Sequence, residues 1–398
     1  MLIARILGDC PGCGGVRTYG NAWVRDDILQ RGCTACRYKN EIWLPEVHKK
    51  TVYLDQSFFS GAFRERDPRF VRAAAKVRDA TQQQLLVAPY SSLHEDETHQ
   101  WRGHDGKLPA DLMDFIKRTS SGHEFEPDYD IERVQILKAF QAFLSGGPSE
   151  YVLEEDDVLN ENVHTWQDYI FIDVPGYFKD VEQIRELKAD AVAQLVSLFD
   201  GWQRADTTFE EDVAAELRAA PKVYIEPYVE MLTEMAKGNF MVYMNAPIVT
   251  TVVESMRHCL PKVMPLREQL QRCAQFFQSE HFAQIPYQYM SARMFAALKH
   301  QVKHGAYANR EDAKRRLSGV FYDVKHISLF GPYCDAITVD GPMAGLVRQP
   351  TVGLEARYGT KVFSVGTFDA LEAWCDELSE GVSDDHRRGL ADAYGKTA

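Results

Sequence analysis

Four acidic residues of this chain, Asp55, Glu95, Asp323 and Asp340, each stand where a short apolar run ends or a helix begins. Asp55 closes Thr51-Val52-Tyr53-Leu54, and Asp340 closes Ala336-Ile337-Thr338-Val339. Glu95 follows Leu85-Leu86-Val87-Ala88-Pro89 after a Tyr90-Ser91-Ser92 turn, and Asp323 opens the helically spaced set Val324, Ile327, Ser328 and Phe330. This placement constrains the fold strongly, because strand ends and helix starts are where an α/β domain gathers charge into one pocket. Such a cluster repels itself unless cations neutralise it, and a hard divalent ion suits an all-oxygen site.

The α/β pattern comes in two pieces. From Lys49, a strand (51–55) leads into a helical run marked by Phe70, Val71, Ala74 and Val77. A second strand (85–89) follows, then a helix with Ser91 or Ser92 as its N-cap. Residues 105–287 show helical periodicity throughout, as in Ile131, Val134, Ile136, Leu137, Phe140 and Leu144 before Gly146-Gly147. Further helical stretches are 178–200, 209–219, 247–259 and 265–278. The α/β signature returns with a helix over 310–330 interrupted at Gly319, a strand from Cys334 to Asp340, and a last strand (361–365) before a helix from Asp369 to Leu378. The simplest account is an α/β domain with a central, mostly parallel sheet in two halves (49–104 and 288–380), interrupted by a large all-helical insertion (105–287). Residues 381–398 read as a polar tail that frays.

Residues 1–48 form a separate small unit. Cys10-Pro-Gly-Cys13 and Cys33-Thr-Ala-Cys36 are paired CxxC knuckles about 19 residues apart, within the range of a zinc site. The segments Ala22-Trp23-Val24-Arg25 and Asp27-Ile28-Leu29 supply strands for a ribbon. A unit of this size buries too little apolar surface to be stable alone, so tetrahedral zinc on Cys10, Cys13, Cys33 and Cys36 is expected to supply the missing free energy. The other cysteines (Cys259, Cys273, Cys334 and Cys375) stand alone and read as buried thiols.

At 398 residues the chain has room for several modules. No apolar stretch approaches the ~20 residues of a membrane helix, and the N-terminus does not read as a secretory signal, so the expected compartment is the cytoplasm, without a membrane partner. The formal net charge of −13 would repel a polyanion if it were evenly spread. It is not even. Glu150 to Asp173 holds eight acidic residues and no Lys or Arg, whereas Lys299, Lys303, Arg310, Lys314, Arg315 and Arg316 cluster just before Asp323, with His300 and His304 among them.

The carboxylate set resembles the PIN-domain nucleases. Tyr53-Leu54-Asp55-Gln56-Ser57 is similar to that family's opening motif, and Ser92-Leu93-His94-Glu95 to its second. Tyr322-Asp323-Val324-Lys325-His326-Ile327 is similar to the third, and Thr338-Val339-Asp340 to the fourth, Thr-x-Asp at a strand end. The resemblance covers roughly residues 49–104 and 290–380; it leaves the zinc ribbon and the insertion unexplained. It implies a PIN-like three-layer domain and a metal-dependent nuclease acting on RNA or single-stranded nucleic acid, with cleavage leaving a 5′-phosphate and a 3′-hydroxyl. Asp55, Glu95, Asp323 and Asp340 would hold one or two Mg²⁺ or Mn²⁺ ions, with Asp335 as a fifth candidate ligand and Asp96 and Glu97 competing with Glu95. Gln56 beside the first Asp, and the length of the insertion, depart from the family pattern.

Around this set, Ser57 and Thr338 are candidates to orient a ligand, and His326 to meet a phosphate. Lys303, Arg315 and Arg316 are the expected substrate grip, with Tyr287, Tyr289, Phe295 and Tyr307 available for base stacking. His94 and His99 are spaced to lie on different faces of a helix, which argues against a histidine metal site. A dehalogenase-like phosphatase needs a second Asp two positions after the first, where this chain has Ser57. Neither a Gly-x₄-Gly-Lys-Ser/Thr loop nor a Gly-x-Ser-x-Gly elbow occurs. The rival reading is a catalytically inactive PIN-like scaffold that docks a protein partner, or a second copy of itself, through the ribbon and the helical insertion.

Overall fold

The computed structural model describes residues 2–166, 180–242 and 249–395. The protein is mixed α/β, with one antiparallel and one parallel sheet, each of four strands. In the antiparallel sheet, β1 (Arg5–Gly8), β2 (Tyr19–Arg25), β3 (Ile28–Cys33) and β4 (Lys39–Trp43) lie side by side in chain order. Val24, Leu29 and Ile42 stand in register across it and turn to one face. That face is the one the structure buries, whereas Trp43 on the other face stays exposed.

The parallel sheet is built from β5 (Lys50–Leu54), β6 (Leu86–Val87), β7 (Ala336–Thr338) and β8 (Lys361–Phe363), in the spatial order β6-β5-β7-β8. Val52 pairs with Ala336, Tyr53 with Ile337 and Leu54 with Thr338. All six are fully buried, as strands of a sheet covered on both faces must be. After β5 come α1 (Gln56–Phe63) and α2 (Pro68–Gln82); after β6 comes α3 (Ser92–Gln100).

From there to β7 the described chain is helical: α4 (Pro109–Thr119), α5 (Asp128–Ser145), α6 (Val181–Ser197), α7 (Phe199–Arg204), α8 (Phe209–Arg218), α9 (Ala220–Ala236), α10 (Val249–His258), α11 (Leu266–Phe277), α12 (Glu280–Ala283), α13 (Pro286–Lys303), α14 (Arg310–Arg316) and α15 (Val320–Phe330). α16 (Gly341–Val347) and α17 (Leu354–Tyr358) precede β8, and α18 (Phe368–Glu380) and α19 (Asp384–Tyr394) follow it. Parts of two predicted helices (178–179 and 247–248) and of the acidic segment (167–173) lie outside the described residues.

Period-two alternation divides the cores. Val52, Leu54 and Ala336 point to the face covered by α1, α2, α4 and α18, where Phe58, Phe59, Val77, Ile116 and Trp374 pack. Tyr53 and Ile337 point to the other face, packed by Met290, Met294, Val324 and Phe330 from α13 and α15. The expected insertion does not separate along its predicted boundaries. Leu112 and Ile116 of α4 belong to the first core, and Ile131 of α5 with Val192 and Leu195 of α6 to the second. A core of their own is formed by Ile136 and Phe140 of α5 with residues of α9 to α12. Helical spacing reveals an apolar stripe but not what that stripe will meet.

The expected fraying tail is a correction. Residues 384–394 are helix α19, and Leu390 and Ala393 complete the ribbon's core with Val24, Leu29, Leu44, Val47 and Trp166. Asn21 donates to the carbonyl of Asp392 at 2.7 Å, and Arg31 pairs with the Asp392 carboxylate at 2.8 Å. Trp166 donates its indole N–H to the carbonyl of Pro45 at 2.6 Å, and its ring packs against Gly389, where a Cβ would meet it at 2.5 Å. Helix propensity alone favours Gly389→Ala by about 1 kcal/mol. The packing reverses that sign: Gly389→Ala should destabilise by about 1–3 kcal/mol, read from chemical denaturation.

Candidate functional site

Two groups of side chains carry chemistry. In the ribbon, the Sγ atoms of Cys10, Cys13, Cys33 and Cys36 all lie within 4.8 Å of one another. A tetrahedral Zn–S bond of about 2.3 Å requires S···S edges of about 3.8 Å. Cys10 to Cys36 is 3.7 Å and Cys13 to Cys33 is 3.9 Å, far from a disulfide and close to that edge. Backbone amides of Gly12, Ala35 and Tyr38 point at the sulfurs of Cys10, Cys33 and Cys36 at 3.3, 3.2 and 3.4 Å, which favours thiolates. The cluster therefore fits structural zinc.

The second group sits at the carboxyl ends of the parallel strands. The chain adds β6 on one side of β5 and then crosses back to add β7 and β8 on the other, so the strand order, though not the strand direction, reverses between β5 and β7. Open α/β sheets bind ligands in the crevice outside such a switch point. Asp55 and Asp340 stand there, one residue past β5 and two past β7, and each caps the helix that follows it. Asp55 accepts from the amide of Phe58 at 3.0 Å and from the hydroxyls of Ser57 at 2.7 Å and Thr338 at 3.2 Å. The Asp340 carboxylate accepts from the amide of Met343 at 2.8 Å. A cavity of about 280 Å³ opens over them, lined also by Ser57, Glu97, Arg316, Asp323 and His326.

Asp55, Asp323 and Asp340 thus come together. Glu95 does not join them; Glu97 does. The cause is the rotation of α3. His94 donates from Nε2 to the carbonyl of Leu54 at 2.8 Å, while its Nδ1 accepts from the Ser91 amide at 3.0 Å. That pins the 94–97–98 face of the helix on the strand ends, and Thr98 meets Gln56 at 2.9 Å on the same side. Glu95 turns away, and its charge acts on Glu124 instead. Nothing in the sequence marks His94 as the residue that sets this rotation; its hydrogen bond to Leu54 does.

Asp335 is a correction of a different kind. It precedes β7, at the opposite end of the sheet, where it pairs with Lys50 at 2.7 Å and accepts from the amide of Thr51 at 2.9 Å. The expected basic grip is largely structural. Lys299 and Lys303 hold the buried Asp212 of α8 at 2.6 and 2.7 Å, and Lys303 also donates to Thr207. Arg315 is exposed and pairs with Asp312 of its own helix. Only Arg316 of that run lines the cavity, while pairing with Asp312 at 2.6 Å. Tyr287, Tyr289, Phe295 and Tyr307 pack against the main core.

One cation was not expected. Lys188, from α6, places its ammonium 3.3 Å from Glu97 and 4.1 Å over the ring of Tyr322. His326 is buried; its Nδ1 pairs with the Tyr53 hydroxyl, and its Nε2 has no partner. Burial holds this imidazole neutral, well below its ordinary pKa, and the nearby His94 adds to the effect. A buried nitrogen with no partner beside carboxylates calls for something to meet it.

The electrostatics are those of crowded acids. Burial pushes the Asp323 carboxyl well above the usual range, and the charges of Glu97, Asp340 and Asp55 add to it. Asp55 is pushed up to about 7, by lost hydration first and by Asp340 as well, against its three hydrogen bonds. Glu97 is raised by burial and opposed by Lys188. Among the described residues, no three carboxylates bring oxygens within 4.8 Å of one another.

No family model, no curated protein and no solved structure matches this chain. No described helix is long and apolar enough to cross a membrane.

Elemental analysis of purified protein should give about one zinc per chain, and Cys13→Ser should reduce that to below half. Asp55 has a folded-state pKa near 7, above its unfolded value of about 3.9. The folded state therefore holds the proton more tightly, and Asp55 costs stability progressively as pH rises from about 4 to about 7. Without divalent ions, Asp55→Asn should melt higher than the parent at about pH 8, and the difference should close toward about pH 4.

Proposed function

We propose that this chain is a divalent-metal-dependent nuclease of PIN-like type, hydrolysing phosphodiester bonds of RNA or single-stranded DNA. The observation that carries this reading is the convergence of Asp55, Glu97, Asp323 and Asp340 on one cavity at the switch point of a parallel sheet. Asp55 and Asp323 lie far apart in the chain, and such convergence has no structural use that offsets the mutual repulsion of acids. The donor set is hard oxygen, which suits Mg²⁺ or Mn²⁺ better than a thiophilic metal.

When bound, the metal would supply a water acidic enough to attack phosphorus near neutral pH and would stabilise the leaving oxygen. The chain's own residues prepare for that. Ser57 and Thr338 donate to Asp55 and fix the direction of its carboxylate. Asp55 and Asp340 cap helices, so their carboxylates are held by backbone amides and do not swing. His326, neutral and without a partner at Nε2, is placed to meet a phosphate oxygen or an ordered water. Lys188 offsets part of the negative charge through Glu97.

That same Lys188–Glu97 pair favours a second reading, a scaffold whose acids are neutralised internally and which binds a protein partner or a second copy through its helical segment. Cleavage separates the two. Manganese-dependent hydrolysis of labelled single-stranded RNA and DNA is expected from the parent protein, with at least a hundredfold loss in Asp55→Asn and in Asp340→Asn, on the order of 3 kcal/mol of barrier. Full activity in either variant, with an unchanged melting curve, would remove this cavity as the centre.

A further inference from the structure

The acidic cavity opens into a second cleft of about 470 Å³, and the two share Ser57, Ser60, Val339 and Asp340. Its character is opposite. Arg64, Arg66 and Arg69 line it, from the end of α1 and the turn into α2. The turn is tightly built: Arg66 donates its amide to the carbonyl of Gly61 at 3.1 Å, and Glu65 adopts φ +51°. Gly61 in turn sits against the ring of Phe70, with no room for a Cβ. The arginines therefore project from a braced loop.

Their charges are unequally compensated. Arg69 is held by Asp67 at 2.7 Å and donates to the carbonyl of Val365 at 3.2 Å. Arg64 lies 4.7 Å over the ring of Trp101, and its Nε is buried without any hydrogen-bond partner. Arg66 is exposed, and among the described residues it makes no ion pair. Arg66 thus leaves an exposed guanidinium charge at the cleft beside the Arg64 charge, and the planar guanidinium fork matches phosphate geometry. Arg316 lines the acidic cavity but not this cleft.

A polyanion approaching four carboxylates in an acidic protein needs positive charge close by. We propose that the Arg64–Arg66–Arg69 cleft seats the backbone phosphate next to the scissile one in a single-stranded nucleic acid. It takes the role that sequence spacing had suggested for Lys303 and Arg315. The inference rests on the nuclease reading for the meaning of "scissile", but its test does not pass through cleavage.

The experiment is fluorescence anisotropy of labelled single-stranded RNA and DNA oligonucleotides with the full chain, without added divalent ion, from about 50 to 200 mM salt. The parent should bind with an affinity that falls as salt rises. Arg66→Gln should bind more weakly, with the log–log salt slope reduced by about 0.7, and the Arg64→Gln/Arg66→Gln double variant should lose about 1.4. Arg66→Lys should retain most of the slope, since it keeps the charge. Arg66 is exposed and unpaired, so its substitution leaves the fold intact, and an unchanged melting curve checks this. Unaltered affinity and slope in Arg66→Gln and in the double variant would overturn the proposal, as would failure of the parent to bind either oligonucleotide. Binding that follows the arginines in a protein that cleaves nothing would uphold the cleft and sink only the hydrolytic reading.

Discussion

The pairing of β5 with β7 is the contact on which everything else depends. It joins residues near 53 to residues near 337, and the whole helical segment lies between them in the chain. The register Leu54–Thr338 decides which side chains emerge together at the strand ends. Thr338 Oγ1 accepts from the Asp55 amide at 3.0 Å and also meets its carboxylate, so a single hydroxyl ties the two strand ends and orients the acid. A slip of one residue would turn Tyr53 and Ile337 into the wrong core and move Asp55 off the crevice.

Placing acids there has a cost that the surroundings only partly offset. Three of the four are raised by burial, and the helix N-termini, Ser57, Thr338 and Lys188 compensate some of the charge. Compensation is deliberately incomplete around Asp323, which is deep and has three acids acting on it. The positive side chains are divided, with Arg316 lining the acidic cavity and the α1–α2 arginines the adjoining cleft. An acidic centre beside a basic cleft is the field a bound cation and a polyanion would need in common.

Much of the site was legible because strand ends are marked by local rules. An apolar run stopping at Asp55 or Asp340 gives both the strand and the cap, and paired CxxC knuckles give the ribbon. What was illegible depended on rotation and on distant partners. Choosing Glu97 over Glu95 needed the angle of α3, which His94 sets through a hydrogen bond to the end of β5. Asp335 and Asp340 flank the same short strand at opposite ends, a polarity that apolar content does not reveal. Lys303 looked available until α8 brought Asp212 against it. The stripe on α19 was too short to distinguish from a frayed end without knowing that Trp166 and Val24 wait for it.

The docking of α19 on the ribbon joins the two extremities of the described chain, and it sets an order of events during synthesis. The thiolate cluster is made well before Leu390 and Ala393, which cover the ribbon's apolar face. At ribosomal speed that interval is on the order of 20–70 s. Through that time the ribbon has its own sheet, Leu44 and Val47, later Trp166, and whatever ion its four thiolates take up, so its early survival would turn on cation supply and its later survival on hydrophobic closure.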